Sequence, residues 1–199
     1  WFFRYDSGQP ILYSGMLLRR ALSNAAKEFQ SAGPDPCVDE MVVIGHSQGG
    51  LLVKLTAIDS GDRFWRNLSD GPVEQSGLSP ENQALAREVF FVEPLPFVDR
   101  VVFIATPQRG SYLAGPAFVR ALAQRLISLP ATVAQASAAL LSSSDIARRA
   151  GMQRIPTSID NMSPGHPFIK AIAGIPVAPG IAVNSIIGVV DGEPLATGG

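Results

Sequence analysis

The sequence predicts an α/β fold built on a mostly parallel sheet with helices on both faces. Three observations carry this. Short β-branched runs, "MVVIG", "RVVFIA" and "VNSIIGVV", lack the polar alternation of a half-solvated strand and read as strands buried on both faces. Stretches with helical spacing lie between them. The order strand, helix, strand, helix, strand, helical insertion, strand is the alternation that produces a parallel sheet.

Each element follows in turn. "WFFRY" at residues 1–5 is aromatic-rich and predicts a strand, with "DSGQP" turning the chain. From Ile11 to Gln30, Leu17, Leu18, Ala21, Leu22, Ala25 and Phe29 recur at helical spacing until Gly33-Pro34 ends the pattern. "MVVIG" is the next strand. A helix is expected from Gln48 to about Asp59, with Leu51, Leu52, Leu55 and Ile58 inward and Ser60-Gly61 as its stop. Residues 61–87 are broken by Gly71-Pro72, Gly77 and Pro80. After the strand 100–105, the Ala-, Leu- and Ser-rich residues 110–174 predict several short helices, one from near Pro116 and one after Pro130. Residues 183–190 form the last strand.

Composition bounds the function. The chain has 199 residues, is 46% apolar and carries a net charge of −1, which gives no basis for nucleic-acid binding. No apolar run is long enough to cross a membrane. The one cysteine, Cys37, cannot form an internal disulfide. One Cys and two separated His give no metal site, and neither a phosphate loop nor a dinucleotide fingerprint is present, so no cofactor is implied. The chain starts at Trp1 inside a strand pattern and stops in "VVDGEPLATGG" just after another. It is expected to be a segment, truncated at both ends, of something longer, so compartment is not legible.

In parallel sheets ligands bind at the carboxyl ends of the strands, so the residues after each strand matter most. These are Asp6 and Ser7, "GHSQGG", "TPQRGS" and Asp191. "GHSQG" is G-x-S-x-G after a buried strand and before a helix, the context that pattern requires. The strained turn holds the Ser47 hydroxyl at the rim of the sheet as a nucleophile. It directs the Gln48 backbone N–H at the place where an oxyanion would form, with the positive end of the helix behind it. Side chains at Gly45 or Gly49 would collide with the neighbouring strand or helix.

"VVIGHSQGGLL" followed by "RVVFIATPQRGSYLA" resembles the lipase/esterase branch of the α/β-hydrolase superfamily, and in particular bacterial hydrolases with a serine elbow and a "TPHRGS"-like loop. "WFFRYDSGQPI", "SIDNMSPGHPFI" and "NSIIGVVDG" fit the same group, so the resemblance spans nearly the whole chain. It implies one partial hydrolase domain over 1–199, with residues 113–174 as a helical cap insertion. It also implies hydrolysis of an acyl ester or lipid by Ser, acid and His in that chain order, with Ser47 as the nucleophile. The sequence departs from the group at Gln108, where relatives commonly carry His.

The other triad members are less legible. A serine needs an imidazole to take its proton and a carboxylate to orient that imidazole. His46 adjoins the nucleophile, and neighbours on a tight turn point apart. It reads either as a packed elbow residue or as substrate-lining. His166 in "SPGHPF" precedes the last strand, which is the wrong order, and reads as a loop or cap residue. The base is therefore expected beyond residue 199. Asp191, directly after the last strand, is the candidate acid, with an Asp beyond the chain as the alternative. Asp145 and Asp160 fall in the insertion, and Asp99 is at the wrong end of the sheet. The loop for a second oxyanion donor is expected before Trp1. Asp6 and Ser7 read as an Asx-type turn or as cleft lining. Gln108 and Arg109 either touch substrate or form a fixed loop with an outward arginine. Two other functions stay open: an acyltransferase with the same acyl-enzyme, and a non-catalytic hydrolase-fold binding protein.

Overall fold

The computed structural model describes residues 1–6, 8–31, 33, 36–110 and 158–188. Among these residues three parallel strands form one sheet: β1 (Met41–His46), β2 (Val98–Ile104) and β3 (Ala182–Ile186), in the order β1-β2-β3. Among the described residues the helices are α1 (Ile11–Ser31), α2 (Pro36–Asp39), α3 (Gln48–Lys54), α4 (Pro80–Phe90), α5 (Ser158–Met162) and α6 (Pro167–Ala173). Short 3-10 turns occupy Trp65–Asn67 and Val73–Gln75. This is an α/β arrangement, as the alternation of patterns required.

Register fixes which side chains share a face. Val43 pairs with Val101 and Gly45 with Phe103, and all four are buried. They face α3, whose Leu51, Leu52 and Val53 are sealed from solvent, as are Leu55 and Ile58 in the chain that follows it. α1 packs on α3, and Phe168, Ile169 and Ile172 of α6 join the same core. The Phe168 ring stacks on Phe64 with centroids 5.7 Å apart. The described end of the segment expected to be a cap therefore fills the main core. The helices expected near Pro116 and Pro130 lie outside the described residues.

The opposite face corrects the expectation of strands buried on both sides. Val42 is 54% exposed, Ile44 61% and Ile186 57%. Among the described residues the helices pack on one face. An apolar run alone does not distinguish a sandwiched strand from one covered on one side, because burial is a property of the neighbours.

Four other elements differ from the sequence reading. Residues 1–5 are not a strand. Trp1 and Phe2 are exposed, while Phe3 stacks on Tyr5 at 5.8 Å and both pack against the core. Aromatic residues have β propensity, but a strand exists only where a partner backbone completes the ladder. α3 ends at Lys54, not near Asp59; Thr56 and Ala57 leave the helix in turns, and their carbonyls accept from Leu95 and Ala178. The buried residues of α1 are Ile11, Ser14, Gly15, Met16, Leu18 and Ala26; of the predicted stripe Leu18 is buried and Leu22 packs against the core, and Gly15 lets the helix lie against Leu55. Ala21 and Phe29 are exposed. Finally, Pro80 starts a helix instead of breaking one. The Ser79 side chain accepts from the Asn82 N–H, and Pro80 occupies the first turn, where its missing N–H costs nothing.

A second, smaller cluster gathers Trp65, Leu68, Val73, Leu78 and Ala86, with Phe90 and Phe91 against Trp65. Phe168 should test whether α6 belongs to the main core. Phe168→Ala is expected to lower unfolding free energy by about 3–5 kcal/mol in a denaturant titration, the cost of truncating a buried aromatic. A loss below ~1 kcal/mol would mean that α6 is peripheral.

Candidate active site

The carboxyl ends of β1 and β2 meet at Ser47. β1 ends at His46, and the Ser47 N–H donates to the Ile104 carbonyl at 2.8 Å, extending the ladder by one residue. Ser47 then turns with φ 52° and ψ −126°, in a region that residues with a side chain rarely enter. Such a conformation costs on the order of 1–3 kcal/mol and persists only where the surroundings impose it.

Glycines impose it here. A Cβ on Gly45 would lie 2.6 Å from the Gly49 carbonyl and from the backbone of Gly50. Gly50 faces the Thr106 side chain so closely that a Cβ would sit 2.6 Å from its Cγ2. α3 can therefore begin directly against the strand ends, and the Gly50 N–H donates to the Ser47 carbonyl at 3.0 Å. Gly49, expected to be equally crowded, is roomier: the nearest group to its missing Cβ is the Tyr5 hydroxyl, at 3.8 Å.

Ser47 stands at the N-cap of α3, yet its hydroxyl makes no capping hydrogen bond. A capping serine takes an extended backbone and bonds back to the helix. The positive φ turns this hydroxyl away, and the residue is half-buried at the sheet rim. Gln48 follows as the first residue of the helix and is buried. The Ser47 hydroxyl is thus not committed to the helix that it precedes, and the Gln48 N–H is next in the chain.

The second strand end is also unusual. Ala105 has φ 48°, is exposed, and donates its N–H to the Ile186 carbonyl at 2.9 Å. Beyond it the loop folds tightly: the Gln108 N–H reaches the Thr106 carbonyl at 2.9 Å, and Gly110 the Pro107 carbonyl at 3.0 Å. A Cβ on Gly110 would lie 2.8 Å from the Met162 carbonyl, so this loop seats against the turn before α6. The side-chain oxygens of Thr106 and Gln108 are buried without a hydrogen-bond partner among the described residues. Gln108 is thus half-buried and turned inward, whereas Arg109 is exposed.

The remaining sequence-predicted residues fall in different places. His46 is exposed and, by strand alternation, lies on the open face with Ile44 and Val42, away from α3. Asp6 forms the expected Asx turn, its Oδ1 accepting from the Gly8 N–H at 2.9 Å. Asp99 is exposed at the start of β2. Asp160 belongs to the first turn of α5. Ser7, Asp145 and Asp191 lie outside the described residues. Among the described residues no group of three His, Cys, Asp or Glu could hold a metal ion. Nor is any described helix long and apolar enough to cross a membrane.

His166 has a defined structural task. It is the N-cap of α6, and its Nδ1 accepts from the Phe168 N–H at 3.1 Å. In neutral imidazole the proton then sits on Nε2, so neither nitrogen is placed to serve as a base with a carboxylate behind it. Burial draws its pKa below the usual imidazole value, and Asp160 opposes that shift.

Sequence reasoning missed Ala105 and Tyr5. Neither residue type signals chemistry, and only the chain's path brings them to the rim. No family model, no curated protein and no solved structure matches this chain.

Two outcomes follow. Gly50→Ala should destabilise the protein by about 1–3 kcal/mol through overpacking, and Thr106→Ala in the same chain should recover part of the loss. Purely additive losses in the double-mutant cycle would show that the two residues do not touch. Protonating His166 removes the acceptor from its cap, and the unfolded chain takes that proton more readily. Stability should accordingly fall as pH drops through ~6.5 and below. His166→Asn keeps a capping acceptor without a titration, so its melting temperature should vary less between pH 7 and 5 than that of the parent. An unchanged pH slope would remove His166 as the source.

Proposed function

We propose that this chain is the core of a serine hydrolase of the α/β-hydrolase type, which cleaves carboxylic, lipid-like esters through an acyl-enzyme on Ser47. The observation that carries the reading is the backbone of Ser47. A serine sits at φ 52° between a parallel strand and a helix, with its hydroxyl withheld from capping. The strain is retained where glycine would be free of it, which calls for a use of the side chain. The G-x-S-x-G spacing and its strand–turn–helix context support the same chemistry.

In this reading Ser47 Oγ attacks the ester carbonyl carbon as an imidazole takes its proton. The carbonyl oxygen becomes an oxyanion that accepts a hydrogen bond from the Gln48 N–H. Collapse of the tetrahedral intermediate breaks the bond to the alcohol, which leaves with the proton carried by the imidazole. Water then enters by the reverse path and releases the acid. Neither His46, on the open face, nor His166, committed to a cap, suits the role of base. We assign that role to a His beyond residue 199, and its orientation to Asp191 or to an Asp that also lies beyond residue 199.

The test is covalent labelling of the full-length protein with a fluorophosphonate probe. Ser47 should be the modified residue in a peptide map, and Ser47→Ala should abolish labelling and lower ester turnover on the order of 10³-fold or more. Labelling that persists in Ser47→Ala would sink the proposal.

A further inference from the structure

Ser47 and Ala105 form a pair. Each is the first residue past the end of a neighbouring parallel strand, and each is a residue with a side chain at positive φ. They are direct neighbours, because the Ser47 N–H donates to the carbonyl of Ile104, the residue before Ala105. Adjacent strands lie ~5 Å apart, so Ala105 stands at the same rim as Ser47. It is exposed there.

Strain at Ser47 is explained by the hydroxyl. Strain at Ala105 has no such account. Alanine in the left-handed region is disfavoured by contact between Cβ and the backbone, and glycine would occupy it without cost. The conformation is firmly held. The Ala105 N–H bonds to Ile186 of β3, and the next residue, Thr106, is wedged against Gly50 of α3. The wall is therefore rigid and in place before any ligand arrives.

From this we infer that Ala105 is a specificity-determining residue, its methyl bounding the space over Ser47 that receives the acyl group of the ester. A methyl leaves room for an unbranched acyl chain and crowds one branched next to the carbonyl. The substrate class is thereby narrowed to esters of straight-chain acids. This inference rests on Ser47 being the nucleophile.

The experiment compares kcat/KM of the full-length protein and its variants for p-nitrophenyl butyrate, which is straight, and p-nitrophenyl pivalate, which is branched. Melting temperatures are recorded alongside. Ala105→Gly relieves the strain and should melt higher than the parent. It should also raise the pivalate-to-butyrate ratio at least fivefold. Ala105→Val should lower that ratio; should it fail to fold, the glycine variant alone decides. A higher melting temperature with an unchanged ratio would overturn the inference and leave Ala105 a structural residue. Parent turnover that survives Ser47→Ala, or no turnover of either ester, would overturn the reading of Ser47 and this inference together. Turnover that depends on Ser47 with a ratio indifferent to residue 105 would overturn this inference alone.

Discussion

The fit of α3 against the carboxyl ends of β1 and β2 is the constraint from which the rest of the structure follows. Gly45 and Gly50 leave no room for a side chain on either, and Thr106 fills the space that Gly50 vacates. With the helix that close, the chain has one residue, Ser47, in which to reverse from strand to helix, and it does so at φ 52°. Relaxing Ser47 would need either a longer turn or a more distant helix. Both would open the core beneath Leu51 and Leu52, which are almost completely buried. Apolar burial under α3 thus holds the strained serine in place. Two or three buried leucine-sized side chains, at about 1.5–3 kcal/mol each, exceed a strain of ~1–3 kcal/mol.

The same contact links the strand ends to one another. Thr106 joins α3 to the loop after β2, and that loop seats Gly110 against the turn that leads into α6. The cap at His166 then starts α6, whose Phe168, Ile169 and Ile172 return to the core above Phe64. On the other side Tyr5 reaches the first turn of α3, and the Ile11 N–H donates to Asn161 Oδ1 at 3.0 Å. Residues far apart in the chain are therefore joined through polar and van der Waals contacts, and Tyr5 and Thr106 reach the glycines that follow Ser47. A site built this way is positioned by a packed helix and sheet, while its variable parts lie on connections.

The sheet itself is asymmetric among the described residues. Its inner face is covered by α3 over β1 and β2, with α1 behind it. On the outer face Val42, Ile44 and Ile186 are open, and Arg100 spans to Asn184 at 2.7 Å. β3 is exposed along most of its length. The conformation of the rim depends on the inner face, where the core fixes the ends of β1 and β2.

The sequence by itself determined the elements whose causes are local. The β-branched runs gave β1 and β2. The spacing of Leu51, Leu52, Leu55 and Ile58 gave the inward residues of α3 and the turn beyond it. G-x-S-x-G between them located the sharp turn, since backbone sterics at glycine act within a few residues. Tertiary structure alone decided what depends on partners. The segment 1–5 has strand-like residues but no ladder partner among the described residues. Ser14 and Gly15 face the core because Leu55 lies opposite. β1 is covered on one side only among the described residues. Ala105 carries no signal in sequence, because its positive φ is set by Ile186 on one side and by Thr106 against Gly50 on the other. His166 reads as a titratable loop residue until the Phe168 N–H is seen to need an acceptor. Propensity and periodicity describe a residue's own preferences; burial, pairing and strain belong to the residues that pack against it.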